Sequence, residues 1–357
     1  MIWFDLVTPK SVMFFKPFIR RFKAMGYEVL VTARESLGYN EVAELLRLHH
    51  IDFVNRGGFG GADLHGKLKA SLSRQNELME FIADKNIEKL ICLCSVDANR
   101  VAFGLGIEII NFYDIPLSDY RTDFTKALPQ ARLTLPLSNK AFRPFMVPNE
   151  IFLRFGLDWH QIYEYPFLDV CAWLKDFKPS RLFFDEFLDE YGLDKSLPNI
   201  LVREEEFKSS YVSAKFPVLY DGLNELQRRI KANFIIIPRY ESEPLRALFP
   251  YAAVIKNKLR VQHLLAYADL FIGGGGTLNS EACFFGTPTI STRSFISHYD
   301  KWLIDLGLMA KADSANELVD IALASIAKRN EKARAIFTQM PFNLDEIIEQ
   351  ILYNRIH

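Results

Sequence analysis

The chain lacks a charge excess of either sign. Its 357 residues hold 43 lysines and arginines against 44 aspartates and glutamates, a formal net charge of −1. That balance removes the basic footprint of a nucleic-acid-binding domain and the acidic run of a solvating tail. No stretch of about 18 uninterrupted apolar residues occurs, so no membrane-spanning helix is expected. Asp5 breaks the apolar start, and the first segment reads as a strand rather than a secretory leader. Cysteine is scarce, at positions 92, 94, 171 and 283. Cys92 and Cys94 share one face of an apolar strand by the period of two. C-x-C with no nearby histidine or second pair is poor zinc spacing. Buried thiols, a reducing cytoplasmic location, no bound metal and no cofactor are therefore expected. No repeat at solenoid periods and no low-complexity segment is present.

What the chain does have is apolar residues, 49% of the total, and 30 phenylalanines spread along its length. That is enough for two domains of ordinary size. Strand-like runs at residues 2–7, 28–32, 51–54, 89–94 and 107–111 alternate with helical spacing, and one more helix–strand pair fits 119–135. Phe14, Phe15, Phe18, Ile19 and Phe22 recur at helical spacing up to Gly26, after a loop at 8–11. Pro17 should lie near the first turn of that helix or kink it. From 142 to 179 prolines and aromatics replace periodicity, which reads as the crossing between domains. Order resumes with strands at 199–203, 234–237, 252–255, 270–272 and 289–291, interleaved with helices. A terminal amphipathic helix covers 343–353. Alternating strands and helices predict parallel sheets, whose ligand sites lie at the carboxyl ends of the strands.

One stretch stands out. An apolar run to Ile272 meets four glycines at 273–276, then a short helix from Thr277 carrying Ser280 and Glu281, stopped by Gly286 with Pro288 beyond. Glycines let backbone approach a ligand closely. A helix start offers unpaired N–H groups and the positive end of a dipole, which suits phosphate. A carboxylate one turn in can accept hydrogen bonds from ribose hydroxyls. The plainer reading is a tight strand-to-helix crossing.

This stretch resembles the nucleotide-binding signature of the GT-B glycosyltransferase superfamily, as seen in the peptidoglycan N-acetylglucosaminyltransferase and the UDP-N-acetylglucosamine 2-epimerases. The matching pieces are Gly275, Gly276, Ser280, Glu281, Gly286 and Pro288, and Arg293 stands where the epimerases carry an arginine. More of the chain is similar to an uncharacterised, mainly archaeal family of that superfamily. This likeness is carried by Trp3-Phe4-Asp5, Phe14-Phe15-Lys16-Pro17, Val31-Thr32-Ala33-Arg34, Arg100-Val101-Ala102-Phe103-Gly104 and Pro238-Arg239-Tyr240. The resemblance implies an α/β fold of two Rossmann-like, doubly wound parallel-sheet domains facing a cleft. Residues 1–166 would form the acceptor-side domain and 180–340 the nucleotide-sugar-binding domain. Residues 341–357 would return as a helix to the first.

The loops at strand ends supply the remaining candidates. On the donor side Gly274, Gly275, Gly276 and Thr277 would lie near the diphosphate, and Ser280 and Glu281 near the ribose. Arg203, which opens a run with Glu204, Glu205 and Glu206, and Arg239, just after a strand, would fork onto phosphate. A solvated charge run is the alternative for Arg203. On the acceptor side Asp5, Asp97 and Asp114 are candidate general bases if burial raises their pKa. Asp97 reads more readily as a helix N-cap, and Asp114 equally as a loop hydrogen-bonding residue. Relatives often carry a histidine in the first loop. Ser11 stands there instead, which weakens a histidine-based deprotonation. Arg34 can meet an acceptor anion or pair with Asp5, and His65 and Lys67 can touch the acceptor. The segment Gly61-Ala62-Asp63-Leu64-His65-Gly66-Lys67 mimics a P-loop, but Leu68 replaces the Mg²⁺-binding hydroxyl. The basic residues of helix 13–25 suit a weak peripheral contact with an anionic membrane, although any first helix must also bury one face.

The resemblance implies a glycosyltransferase that uses a nucleotide-diphosphate sugar, UDP-linked by preference, without metal. Its partners would be that donor and a separate acceptor, with no nucleic acid. An epimerase or hydrolase of the same donor, and a non-catalytic nucleotide-sugar-binding protein, are the alternatives.

Overall fold

A computed structural model describes residues 1–37, 39–61, 63–121, 123–205, 218–239 and 242–353. Of the residues singled out above, Ala62, Glu206 and Tyr240 lie outside the described residues. The chain divides into two compact units, Met1–Trp173 with Pro341–His357, and Leu174–Met340. Among the described residues no helix is long and apolar enough to cross a membrane.

The first unit is built on seven strands: β1 (Ile2–Leu6), β2 (Val29–Ala33), β3 (Val54–Asn55), β4 (Lys89–Cys92), β5 (Glu108–Phe112), β6 (Lys140–Pro144) and β7 (Ile162–Tyr165). They pair in the order β3-β2-β1-β4-β5-β6-β7, all parallel. The chain therefore reverses its direction of growth between β1 and β4. Every residue of β1 is buried, including Asp5, as a strand covered on both faces requires.

The first helix, Pro9–Ala24, begins earlier than the phenylalanine spacing suggests. Thr8 is extended and its hydroxyl accepts from the Ser11 N–H, while the Ser11 hydroxyl accepts from the Thr8 N–H. This reciprocal cap, with Pro9 at the first helical position, turns the expected loop into helix. Pro17 consequently lies in the helix interior, not its first turn. The phenylalanine face points into the core: Phe14, Phe15 and Phe18 each lie 5.4–5.7 Å from the Phe112 ring. The apolar side of this helix is thus buried in the protein rather than offered to a membrane.

The segment 142–179 does carry the passage from the first unit to the second, at Trp173–Leu174, but most of it is still ordered structure of the first unit. It contains β7 and completes β6, and its prolines punctuate structure. Pro144 ends β6, Pro148 precedes the helix Asn149–Leu153, and Pro166 follows β7. Aromatic stacking replaces aliphatic periodicity here, with Phe112 on Phe142 at 4.5 Å and Phe142 on Tyr163 at 4.9 Å. Nor do the described residues of 119–135 form a strand; they hold a short 3-10 turn, Phe124–Lys126, and the helix Pro129–Thr134. The helix Leu344–Leu352 packs in this same unit. Asp345 pairs with Arg21 at 2.6 Å, and buried Lys140 donates to the last carbonyls at Gln350, Ile351 and Tyr353. A cation there complements the negative helix end.

The second unit holds β8 (Asn199–Arg203), β9 (Asn233–Ile237), β10 (Ala253–Val254), β11 (Leu270–Gly273), β12 (Thr289–Ser291) and β13 (Ala310–Lys311). Their order is β10-β9-β8-β11-β12-β13, again all parallel. One face packs with the helices Val218–Arg229 and Ala315–Ser325 through Leu223, Leu226, Leu318 and Val319. The other packs with Arg181–Glu190 and Gln262–Tyr267 through Phe184, Phe187, Leu264 and Leu265. The order changes direction between β8 and β11, so Arg203 and the glycine stretch end on neighbouring strands.

Candidate functional site

In an open parallel sheet the crevice at such a reversal, outside the carboxyl ends of the strands, is the favoured ligand site. In the second unit it is formed by bare backbone. Gly274 donates its N–H to the Arg203 carbonyl at 3.1 Å. A Cβ on Gly274 would lie 2.5 Å from the Glu205 Cα, a distance no side chain tolerates. Glycine is required there because two chains emerging from adjacent strands touch. Gly275 is the extended residue before the helix Gly276–Phe284.

Arginines from separate loops converge on this helix start. Arg239 follows β9, and its Nη1 lies 3.8 Å from where a Gly275 Cβ would be. Arg293 follows β12, and its Nη1 lies 2.9 Å from where a Gly276 Cβ would be. Arg293 is aimed by Asp300 at 2.7 Å and covers the Phe295 ring at 3.9 Å. Asp300 is itself fixed in a capping box with Ser297. Arg203 braces the neighbouring turn, donating to the Pro238 carbonyl at 2.6 Å. Glu204 accepts from the Arg239 N–H at 3.0 Å. Arg239, and Arg293 with its Asp300 partner, thus stand beside the positive end of a helix, a setting that suits an anion.

Thr277 is half-buried on the first turn of that helix. The Ser280 hydroxyl donates back to the Gly276 carbonyl at 3.1 Å. Glu281 is buried, and both its oxygens accept from the Gln262 amide, at 3.1 and 3.3 Å. Asn279 ties the helix to β11 by donating to the Gly273 carbonyl at 3.3 Å. Sequence reasoning missed Gln262 and Asp300. The S-x-x-D spacing of Ser297 and Asp300 is a capping signal that could have drawn attention to the second.

The first unit treats its own reversal point differently. Asp5 is fully buried and receives the Arg74 guanidinium at 2.7 and 3.2 Å, with the Thr32 hydroxyl at 2.5 Å and the Ser95 hydroxyl beside it. Asp97 takes the same guanidinium at 3.3 Å and the Ser71 hydroxyl. Asp97 is therefore not the N-cap, a position held by Ser95. Burial pulls the Arg74 pKa down, but Asp5 and then Asp97 outweigh it and hold it above its ordinary value. Arg34 does not reach Asp5; it donates to the Tyr39 hydroxyl at 3.1 Å and lies over that ring.

Further along the same sheet edge, Lys10 bridges Asp114, after β5, and Asp169, after β7. Tyr165 donates to Asp169 at 2.7 Å. Burial lowers the Lys10 pKa, and the two carboxylates more than offset this, so the ammonium is retained. Burial raises the Asp169 pKa, Lys10 opposes that, and Asp114 adds to the rise. Asp114 is the half-buried front of this group and Asp169 its buried back. Lys10, in the first turn of the helix Pro9–Ala24, and Asp169, in a loop, had no motif to mark them, since they meet only through the sheet order.

Ser11 is committed to the cap of the first helix, its hydroxyl also donating to the Thr8 carbonyl at 2.6 Å. His65 is exposed on the first turn of the helix Leu64–Ile82. Asp63 caps that helix by accepting from the Gly66 N–H at 2.8 Å. A carboxylate of the chain thus stands at the helix start where a P-loop would hold phosphate. Burial lifts the Cys92 and Cys283 thiols to about 12 and Cys94 well above its usual value, which leaves them unreactive. Among the described residues no group of three His, Cys, Asp or Glu is placed to hold a metal ion.

The family model described as "Protein of unknown function (DUF354)" matches residues 1–356. The chain belongs to this family. It is 29% identical over 334 residues to the uncharacterised protein MJ0665 of Methanocaldococcus jannaschii, covering 92% of each chain. Among solved structures it is similar to the UDP-GlcNAc 2-epimerase of the same organism in complex with UDP-GlcNAc and UDP, at a TM-score of 0.75 and 14% identity, over 98% of this chain and 99% of that one. The UDP-GlcNAc-bound 2-epimerase of Neisseria meningitidis matches at 0.74 and 13% identity, over 98% and 99%. The spinosyn forosaminyltransferase SpnP matches at 0.61 and 14% identity, over 98% of each. At these identities the likeness establishes the fold, two parallel-sheet α/β domains of the GT-B class.

Proposed function

We propose that the protein binds a nucleotide-diphosphate sugar, UDP-linked by preference, and transfers its sugar to a separate acceptor without a metal ion. The observation that carries this is the approach of Arg239 and Arg293 to Gly275 and Gly276 at the start of the helix Gly276–Phe284. The diphosphate lies against those N–H groups and guanidiniums, with Gly274 and Thr277 shaping the turn. Arg203 holds the Pro238 turn that presents Arg239. Ser280 and Glu281 lie toward the ribose, with Glu281 exchanging its Gln262 amide for ribose hydroxyls. When the sugar leaves, negative charge grows on the diphosphate. Prearranged cations and a helix dipole stabilise that charge with no reorganisation. On the acceptor side Asp114 serves as base and Lys10 holds it in place. Asp5 and Asp97, clamped by Arg74, support the loops around it, and Arg34 and His65 lie toward the acceptor.

The second reading is epimerisation or hydrolysis of the same donor. The higher TM-scores of the 2-epimerases favour it. It makes the same donor contacts and puts Asp114 at the sugar rather than at an acceptor.

The test is titration of the purified chain with UDP and with UDP-, GDP-, CMP- and dTDP-sugars, followed by calorimetry. Arg239→Ala, which removes a half-buried loop cation, should weaken UDP by about tenfold or more, since a charge-assisted contact contributes about 1.5–3 kcal/mol. No affinity for any of these ligands in the unaltered chain would end the proposal. Product analysis with labelled sugar and no acceptor then separates the two readings: altered or released sugar speaks for the second, unchanged donor for the first.

A further inference from the structure

The helix Leu64–Ile82 keeps a row of large apolar side chains in water. Leu64, Leu68, Leu72 and Met79 are 80%, 60%, 54% and 44% exposed. At 3.6 residues per turn these positions, with Gln75 between them, fall within an arc of about 80°. This arc adjoins the core-facing side, where the buried residues Arg74, Leu78 and Ile82 span the neighbouring ~80°. The apolar surface of the helix is therefore wider than packing of the unit uses. Single exposed leucines are ordinary, whereas a continuous row points to a contact.

The charges beside the row indicate what covers it. Lys69 stands exposed in the amino-terminal half and Glu80 exposed in the carboxyl-terminal half, on the same flank. A lipid surface would attract the first and repel the second. A second copy of the same helix, laid antiparallel about a two-fold axis near residues 72–75, suits both. Leu68 then meets Met79 of the other copy, and Lys69 meets Glu80 in both directions. Such self-complementarity is what a two-fold contact demands. The antiparallel arrangement also sets opposite helix-dipole ends side by side.

We propose that this face is a two-fold interface between copies of the chain. One helix about 28 Å long and about 10 Å wide covers only ~300 Å², below the ~800 Å² per partner of a standard interface. The proposed contact therefore extends to the neighbouring helix Val96–Gly104, which packs beside it and leaves Phe103 57% exposed. The inference does not rest on the donor site, to which none of these residues belongs.

Sedimentation equilibrium of the full chain at micromolar concentration tests it. The unaltered protein should sediment as a dimer. The double variant Leu68→Glu with Leu72→Glu should raise the dissociation constant at least about tenfold. Both side chains are exposed, and an unchanged melting curve would confirm that the fold stands. Lys69→Glu alone should weaken the dimer, and adding Glu80→Lys should restore it, a reversal that only the antiparallel pairing predicts. A monomeric unaltered chain, a dimer indifferent to the leucine changes, or a charge swap that fails to rescue would overturn the proposal. So would a monomer whose binding to phosphatidylserine vesicles depends on Leu68 and Leu72, which would assign the row to a membrane.

Discussion

At the reversal point of the first sheet, between β1 and β4, Arg74 is clamped by Asp5 and Asp97, with Ser71, Ser95 and Thr32 filling the remaining hydrogen bonds. At the equivalent point of the second, between β8 and β11, Gly274 rests on Glu205 while Arg239 and Arg293 stand beside Gly275 and Gly276. The first place neutralises its own charges with side chains. The second pairs Arg293 with Asp300 and also sets Arg239 at the positive end of a helix. Both sit where parallel-sheet topology puts a ligand crevice, so topology names the location and the side chains decide whether the chain or a ligand fills it.

The largest way to break the comparison is to open the filled site. Arg74→Ala would leave two buried carboxylates without their cation. Removing one partner of a buried ion pair costs about 3–5 kcal/mol, so urea unfolding of this variant should show a loss of that order. A loss below about 1 kcal/mol would mean that Asp5 and Asp97 find other partners or water, and the site would then resemble its open counterpart.

Adjacent glycines of the open site sharpen the contrast at an intermediate scale. Gly274→Ala drives a Cβ into the Glu205 backbone, 2.5 Å from its Cα. Overpacking of this kind costs about 1–3 kcal/mol. Gly275→Ala meets only the Arg239 Nη1, at an ordinary 3.8 Å. It should leave the melting temperature nearly unchanged while its methyl group occupies the place proposed for diphosphate and weakens UDP binding. Equal destabilisation by both alanines would show that the turn is a packing device throughout, with no room reserved for a ligand.

Much of this architecture was legible in the sequence. Alternating strands and helices announce parallel sheets, and the glycines at 273–276 announce a close backbone crossing. The first helix was placed too late because the phenylalanines carry its periodicity, while its start depends on Thr8, Pro9 and Ser11, a cap written in polar residues. The sixth and seventh strands were hidden for the opposite reason. Phe142, Tyr163 and Tyr165 are stacked aromatics bounded by prolines, and they lack the aliphatic runs that mark buried strands. Arg74 and Asp169 were out of reach altogether. A lone arginine in a helix and a lone aspartate in a loop give no local sign that the sheet will bring one to Asp5 and the other to Lys10.

Between the filled and the open site lies the group formed by Lys10, Asp114 and Asp169, and it yields the smallest effect. Burial raises the Asp169 pKa above 3.8. An acid whose folded-state pKa is raised binds its proton more tightly when folded. Its contribution to stability is therefore fully present below pH 3.8 and is lost as the pH climbs through the raised value. Lys10, held above 10.5, keeps its charge across this range and does not alter the sign. Asp169→Asn preserves acceptors for Lys10 and Tyr165 but cannot ionise. Urea midpoints measured from mildly acidic to neutral pH should show the unaltered chain losing stability relative to the variant as the pH rises. Parallel curves would mean that Lys10 alone sets the charge of Asp169, in which case this group belongs with the self-neutralised site around Arg74 rather than with the site proposed for the diphosphate.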